Sequence, residues 1–206
     1  MYEIFISAFV TLFVVIDPPG CAPIFAGLVK DASRRQAITM AARACAIATL
    51  ILLGFALFGE QLLNALHIEL NSFRIAGGIM LFLIALDMVF EKRTRRREER
   101  AEKVLASTEV EDVSVFPMAM PMLAGPGSIA TIILLMSRAQ GTDQTLMILG
   151  ALGLVMLITF TALAAAGPLM RLFGAQVEAV LTRLLGVLLA ALAAQYVMDG
   201  ITASLA

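Results

Sequence analysis

Charged residues are scarce in this chain. They make up 15% of its 206 residues, whereas soluble domains contain about 25%. Apolar residues make up 60%, and the mean hydropathy is +0.92. This composition excludes an ordinary soluble domain and predicts an integral membrane protein. The apolar stretches are long and lack strand-length alternation, which favours membrane-spanning helices over a barrel.

Cysteine and histidine are also scarce, with two cysteines and one histidine in the whole chain. Two cysteines in apolar surroundings, Cys21 and Cys45, do not form a disulfide framework. No histidine, cysteine and carboxylate cluster suggests a metal site, and neither a serine–histidine pair nor a phosphate-binding loop suggests an enzyme. We therefore expect no metal, no cofactor and no catalytic residues. A net charge of −1 gives no reason to expect a nucleic-acid partner.

Six apolar segments have about the 20 residues that a helical span requires. This predicts an all-α polytopic protein with six transmembrane helices. The segments cover residues 4–29, 37–63, 73–90, 115–136, 144–166 and 180–201. Gly167-Pro168 is expected to close the fifth. The only long hydrophilic stretch follows the third segment, so we divide the chain into residues 1–90, a charged loop at 91–113, and residues 114–206.

Positive charge is unevenly distributed between the predicted loops. Of the 15 lysines and arginines, all but Arg74 and Arg138 fall within or beside three alternate loops. The positive-inside rule then places these loops, including residues 91–113, in the cytoplasm and both termini outside. We interpret the charge run at 91–103 as a solvated loop, with attraction to anionic lipid as the alternative.

Asp17-Pro18-Pro19-Gly20 interrupts the first segment. Proline removes a backbone donor and pushes the preceding residue out of helical geometry. Interrupted backbone at membrane depth is tolerated only where protein or a water-filled cavity satisfies it, so it marks a candidate binding site. Asp17 is either the cap of a second half-helix or a carboxylate that binds a proton, sodium or a substrate ammonium. The two interpretations are compatible.

Gly125-Pro126-Gly127-Ser128 interrupts the fourth segment and contains no carboxylate. Its exposed N–H groups suit a substrate carboxylate, although the glycines also suit a kink for close helix packing. A zwitterionic amino acid complements both interruptions, with its ammonium toward Asp17 and its carboxylate toward Gly127 and Ser128. Asp17 is the candidate coupling-ion site, for a proton or sodium. The predicted substrate-binding residues are Asp17, Pro18, Gly20, Gly125, Gly127, Ser128 and Thr131.

The two halves of the chain repeat one another at an offset of about 108 residues. Pro19-Gly20 aligns with Pro126-Gly127, and the stretch 74–78 aligns with 183–187. Each half contains three predicted spans, and three is an odd number, so the second half enters the membrane from the opposite side. This predicts two inverted three-helix repeats with broken helices one and four, an arrangement that places substrate near the midplane.

The sequence resembles the MarC family of integral membrane proteins. The resemblance is carried by the stretches VIDPPG at 15–20, FRIAGGIMLF at 73–82 and PMLAGPGS at 121–128, and it extends over essentially the whole chain. It implies six spans, a location in the bacterial inner membrane and a fold similar to lysine-exporter-type transporters. Some members of the family are described as small neutral amino acid transporters.

We therefore expect a secondary transporter of small polar solutes, such as neutral amino acids. The alternative is a channel or a lipid-handling membrane protein without ion coupling. An intramembrane enzyme would need a second reactive group near Asp17, and the sequence offers none. The expected partners are a small solute, the lipid bilayer and, since six helices leave much surface facing lipid, a second copy in a homodimer.

Overall fold

A computed structural model describes residues 2–90, 92–93, 96–97, 99 and 112–205, with only the backbone at 169–178. Most of the charged loop predicted at 91–113 lies outside the described residues. Eight helical segments cover most of the rest, and the described residues contain no strand, which agrees with the predicted all-α class. The segments are α1 (Tyr2–Ile16), α2 (Pro18–Leu28), α3 (Arg34–Ala65), α4 (Leu70–Val89), α5 (Ser114–Leu123), α6 (Pro126–Met136), α7 (Thr142–Ala164) and α8 (Ala166–Leu205).

Five stretches of the described chain are long and apolar enough to cross a membrane. They are α1 with α2 (Tyr2–Leu28), α3, α4, α7 and the part of α8 from Ala179 to Leu205. A sixth span is obtained if α5 and α6, which are bent by 53° at their junction, are counted together. Five to six spans are consistent with the number predicted from the sequence.

The sixth predicted span, residues 180–201, is confirmed by the apolar part of α8 from Ala179 to Leu205, but the helix itself is longer than that span. α7 ends at Ala164, and α8 begins at Ala166, well before the predicted residue 180. Gly167 and Pro168 lie in the first turn of α8 rather than closing the preceding helix. A proline is accepted there because the first turn of a helix has no intrahelical partner for the N–H that proline lacks.

α5 is the least regular segment, with wide helical turns and two residues in extended conformation. Phe116 has φ −127° and ψ 128°, and Met120 has φ −132° and ψ 125°. Each precedes a proline, and the residue before a proline is disfavoured in helical geometry. α5 therefore reaches the junction with α6 as an irregular chain rather than as a continuous helix.

α4 and α8 are packed closely and run antiparallel. Gly78, in the first half of α4, lies against Ala193 and Val197 late in α8: a Cβ added to Gly78 would lie 2.9 Å from the Ala193 carbonyl oxygen. Gly186, earlier in α8, lies against the later part of α4, where an added Cβ would be 3.1 Å from the Ala85 carbonyl oxygen. Glycine at both positions lets the two backbones approach each other, as is common between membrane helices.

The main core of the protein surrounds α6. Residues of α6 from Gly127 to Leu135 are buried with few exceptions, and α1, α3, α4 and α7 all contact this helix. The opposite faces of the outer helices carry exposed large apolar residues, including Leu50, Phe58, Leu83 and Leu157. Exposed apolar faces around a packed centre are expected for a protein whose outer surface meets lipid.

Candidate functional site

Asp17 occupies the junction between α1 and α2. It has φ 60° and ψ 64°, a left-handed conformation that aspartate tolerates better than most residues. The backbone hydrogen bonds continue on both sides, since the Asp17 N–H donates to the Phe13 carbonyl at 2.9 Å and the Cys21 N–H donates to the Asp17 carbonyl at 3.1 Å. The junction is therefore tightly held despite its unusual backbone.

The carboxylate of Asp17 is buried and accepts two hydrogen bonds. Its Oδ1 accepts from the Gly20 N–H at 3.2 Å, so the helix cap expected from the sequence is present. Its Oδ2 accepts from Arg97 Nη1 at 3.0 Å, and the two side chains are only 1% and 8% exposed. A Cβ on Gly20 would lie 2.3 Å from Oδ2, so glycine at this position leaves room for the carboxylate.

A second arginine, Arg93, binds the backbone at the same junction. In a continuous helix the Val15 carbonyl would accept from the N–H four residues later, but residue 19 is proline and has none. Arg93 Nη2 donates to this Val15 carbonyl at 2.6 Å, and its Nη1 contacts the sulfur of Met88 at 2.9 Å. The arginine thus satisfies a carbonyl that the proline leaves without its helical partner.

Interpreting the charge run after α4 as a solvated loop was therefore wrong for Arg93 and Arg97. The remaining residues of that run are largely outside the described part of the chain. Two sequence features point to these arginines. The proline pair leaves carbonyls without donors, and a carboxylate buried in an apolar segment requires a cation. The densest group of arginines in the sequence is the cluster that follows α4.

The second junction, between α5 and α6, has no such partners. α6 begins at Pro126 after Gly125, and no side chain caps it. Pro126 has no N–H, and the first intrahelical bond is donated by Ile129 to the Gly125 carbonyl at 3.0 Å. The N–H groups of Gly127 and Ser128 therefore lack intrahelical acceptors. They carry the partial positive charge of a helix N-terminus.

Both glycines of this junction allow close approach of other groups. A Cβ on Gly125 would lie 2.4 Å from the Pro121 carbonyl oxygen, and one on Gly127 would lie 2.6 Å from the Ile84 side chain. The junction is consequently packed against α4 and the end of α5.

The N-terminus of α6 opens onto a cavity of about 190 Å³. It lies between the end of α1, the end of α4 with the arginines that follow it, and the α5–α6 junction. Its lining residues are Val15, Ile84, Asp87, Arg93, Arg96, Arg97, Pro121, Met122, Gly125, Pro126, Gly127 and Ser128.

Two of the three described arginines that line this cavity form ion pairs. Arg97 forms an ion pair with Asp17, and Arg96 forms one with Asp87. Arg93 has no carboxylate within ion-pair distance among the described residues. Burial, reinforced by the charge of Arg97, lowers the pKa of Arg93 to about 10, so it remains protonated at neutral pH. Among the described residues that line the cavity, Arg93 is therefore the arginine that lacks an ion-pair partner.

The structure brings together part of the set of residues predicted to bind substrate. Gly125, Gly127 and Ser128 line the cavity. Asp17 lies behind Arg97 and reaches the cavity only through that side chain. The other three, Pro18, Gly20 and Thr131, are not among its lining residues. Thr131 is fully buried on α6, and its hydroxyl has no hydrogen-bond partner in the described part of the chain.

A second cavity of about 290 Å³ lies toward the C-terminal end of α6. Glu3 of α1, Arg138 just after α6, and Tyr196 of α8 are among its lining residues. Arg138 lies over the Tyr196 ring at 4.5 Å and forms an ion pair with Asp199. The buried helix α6 thus has one cavity near each of its ends. Within the described residues, no group of histidine, cysteine and carboxylate side chains has the arrangement of a metal site.

Comparison with known proteins identifies the family. The profile of the MarC family integral membrane proteins matches residues 2–205. The chain belongs to the MarC family. A UPF0056 membrane protein of Methanocaldococcus jannaschii is 34% identical over 203 residues, with 98% of each chain covered. Among other relatives, the UPF0056 membrane protein of Aquifex aeolicus is 30% identical, with 96% of this chain and 92% of the relative covered.

The UPF0056 membrane protein YvbG of Bacillus subtilis is 28% identical, with 98% of this chain and 95% of the relative covered. The names of these MarC proteins describe membrane proteins and assign no enzymatic activity. No solved structure matches the chain.

Proposed function

We propose that this MarC protein is a secondary transporter of small polar solutes, such as neutral amino acids. The observation that carries the proposal is the uncapped N-terminus of α6, which opens onto a cavity lined by arginines. A helix N-terminus inside a membrane protein binds anionic substrate groups in several transporter folds. The cavity of about 190 Å³ is smaller than the roughly 300 Å³ at which pockets for drug-sized ligands begin, which favours a small solute.

Helix packing supports the inverted-repeat part of the proposal. At the repeat offset of about 108 residues, three residues of α4 correspond to three residues of α8. The pairs are Gly78 with Gly186, Ala85 with Ala193, and Val89 with Val197. Gly78 packs against Ala193 and Val197, while Gly186 packs against Ala85 and Val89. The same contact therefore occurs twice with the roles exchanged, as a two-fold axis between α4 and α8 requires.

Several other helix pairs follow the same pattern. The offset relates α1 to α5, α2 to α6, and α3 to α7. α1 contacts α7 as α5 contacts α3, and α2 contacts α8 as α6 contacts α4. Under the proposal, α1–α2 and α5–α6 are the two broken helices that lead the repeats. Alternating access then consists of a movement of the two repeats around α6, exposing in turn the cavities near its two ends.

Asp17 is the proposed coupling residue. Its negative charge holds Arg97 in the interior. Binding of a proton or sodium by Asp17 would weaken this ion pair and release the arginine, so ion binding and movement of the segment after α4 are linked. In the orientation proposed from the positive-inside rule, this segment lies on the cytoplasmic side of the inner membrane and both termini lie outside.

Uptake into proteoliposomes tests the proposal directly. Purified protein would be reconstituted and supplied with labelled glycine, alanine, serine or threonine under imposed proton or sodium gradients. We expect saturable, gradient-dependent uptake that is lost in Asp17→Asn. Asp112→Asn is the matched control, because Asp112 also pairs with an arginine, Arg43, but in an exposed position.

Three results would contradict parts of the proposal. Non-saturable flux without ion coupling would indicate a channel. No flux of any of these solutes from folded protein would reject the amino acid assignment and favour lipid handling or another solute. Saturable flux that persists unchanged in Asp17→Asn would leave this residue as a helix cap only.

A further inference from the structure

Arg93 is a half-buried cation that has no carboxylate within ion-pair distance among the described residues. Its guanidinium donates to a carbonyl and contacts a thioether, and both of these partners are neutral. The other two arginines of the cavity already have carboxylate partners. A buried charge is costly unless it is paired. An anion bound in the cavity would supply the missing partner.

Ser128 provides an independent indication of a ligand at this place. Its side chain is only 3% exposed and lines the cavity, and the structure shows no hydrogen bond to its hydroxyl within the described residues. The hydroxyl is therefore available to a ligand in the cavity. The hydroxyl lies beside the N–H groups of Gly127 and Ser128 that the start of α6 leaves unpaired. Together they form a set of donors without an acceptor.

Asp17 and Asp87, the carboxylates described near the cavity, already have partners. Asp17 accepts from Arg97 and from the Gly20 N–H, and Asp87 accepts from Arg96. A substrate ammonium would have to displace an arginine to reach either carboxylate. The described residues of the cavity thus offer donors for an anionic group, and both of their carboxylates are already occupied by arginines.

We propose that the cavity binds a compact monocarboxylate, whose carboxylate lies between the Arg93 guanidinium and the donors of Gly127 and Ser128. An amino group on the ligand is not required, so small hydroxy acids bind as well as amino acids. The zwitterion arrangement expected from the sequence, with an ammonium at Asp17, is replaced by recognition of the carboxylate alone. The inference rests on the proposed function only in taking this ligand to be the transported solute.

Ligand-dependent thermal stability of the purified protein tests this inference without measuring transport. The probes are L-lactate, L-alanine and L-alaninamide, which share a similar size and differ in their charged groups. Ionic strength is matched with chloride. A ligand that binds only the folded state raises Tm in a concentration-dependent way. We expect lactate and alanine to raise Tm to similar extents and alaninamide, which lacks a carboxylate, to have no effect.

Variants assign the effect to the cavity. Arg93→Gln should abolish the lactate-dependent shift, and Arg93→Lys, which keeps the charge, should retain part of it. Because Arg93 also binds the Val15 carbonyl, Arg93→Gln risks impaired folding. Ser128→Ala avoids this risk and should weaken lactate affinity by about 3- to 10-fold, as expected for loss of one hydrogen bond.

The outcomes separate the two proposals. Stabilisation by lactate without uptake of any solute would contradict transport and leave the monocarboxylate site standing. Uptake of amino acids with equal stabilisation by alanine and alaninamide would support transport and overturn the site. Stabilisation by alanine but not by lactate would also overturn it, because it would require an ammonium-binding group. A lactate shift that is unchanged in both Ser128→Ala and Arg93→Gln would place the ligand elsewhere.

Discussion

The two helix junctions have similar sequences and opposite chemistry. At the offset of 107 residues on which the proposed repeat rests, Pro19-Gly20-Cys21 aligns with Pro126-Gly127-Ser128, and Asp17 aligns with Ala124. At the first junction, three backbone groups beside the break in the helix have side-chain partners. The Gly20 N–H donates to Asp17, the Val15 carbonyl accepts from Arg93, and the Ile16 carbonyl accepts from the Cys21 thiol at 3.5 Å.

At the second junction the corresponding donors face a cavity. One substitution accounts for much of the difference, since Ala124 cannot provide the carboxylate with which Asp17 caps α2. The comparison teaches that two junctions of similar sequence can differ in role: the first is held by protein side chains, and the second leaves its donors available for a ligand. The four predictions that follow test this contrast, starting with the largest expected effect.

Removing Arg97 should destabilise the protein most. Arg97→Met leaves the Asp17 carboxylate buried without its cation, which typically costs about 3–5 kcal/mol. The double variant Asp17→Asn/Arg97→Met removes both charges and should recover most of the loss. Denaturation of the purified protein in detergent measures both. A loss below about 1 kcal/mol in the single variant, the value typical of exposed pairs, would show that the pair is not buried in the way described.

Adding a methyl group at the second junction should have the next largest effect. In Gly125→Ala the new Cβ would meet the Pro121 carbonyl oxygen at 2.4 Å, and a backbone group cannot move aside easily. We expect a loss of about 1–3 kcal/mol, as for other overpacked sites. Gly153→Ala is the control, because nothing lies within 4 Å of its added Cβ. This control should be neutral or stabilising by up to about 1 kcal/mol; equal losses in the two variants would contradict the close packing.

Substitution by alanine should affect stability differently at two serines that lie at helix starts. Ser33 caps α3 and shares a reciprocal hydrogen-bonded capping box with Gln36. Ser33→Ala should therefore lower the free energy of unfolding by about 1 kcal/mol. Ser128→Ala breaks no hydrogen bond within the described residues and should change stability by less than about 0.5 kcal/mol. A clear stability loss in Ser128→Ala would mean that its hydroxyl has a structural partner and is not reserved for a ligand.

The exposed ion pair of Arg43 and Asp112 should matter least. Arg43 is 58% exposed, so Arg43→Gln should cost at most about 1 kcal/mol and less at high salt. Hydrogen bonding from Ser114, together with the charge of Arg43, lowers the pKa of Asp112. Its contribution to stability is therefore present above the unfolded pKa of about 4 and is lost as the pH falls through the lower folded value. A loss of this contribution on raising the pH would contradict the assignment.

The helical class and the starts of α2 and α6 could be predicted from the sequence, because they depend on local composition and on the positions of prolines. α2 begins at Pro18 and α6 begins at Pro126, each where proline removes a backbone donor and is pre-organised for a first helical turn. The all-helical class follows from long apolar stretches. The sixth span was predicted correctly, but the extension of α8 back to Ala166 was not, because the residues after Gly167-Pro168 are less apolar than a membrane span and a helix does not require apolar residues.

The contacts across the cavity could not be predicted in the same way. The Asp17–Arg97 pair joins residues 80 positions apart, and no local pattern specifies which of several neighbouring arginines enters the protein. The sequence indicates only that two groups require donors: the buried carboxylate of Asp17, and the carbonyl that has no helical donor because residue 19 is proline. The choice of Arg97 and Arg93 depends on how α4 packs against α1, which is a property of the fold.

The reactivity of a thiol at position 21 and at position 128 tests the contrast between the two helix junctions most directly. In Cys45→Ala the remaining thiol is Cys21, at the first junction. In Cys21→Ala/Cys45→Ala/Ser128→Cys the thiol is at the second junction. Both proteins would be treated with a small, negatively charged methanethiosulfonate. The thiol at 128 should react at least about tenfold faster, because a helix N-terminus and a nearby arginine favour the thiolate, and L-lactate should slow its reaction. Equal rates at the two positions, or a rate at 128 that lactate does not change, would contradict a ligand site at the start of α6.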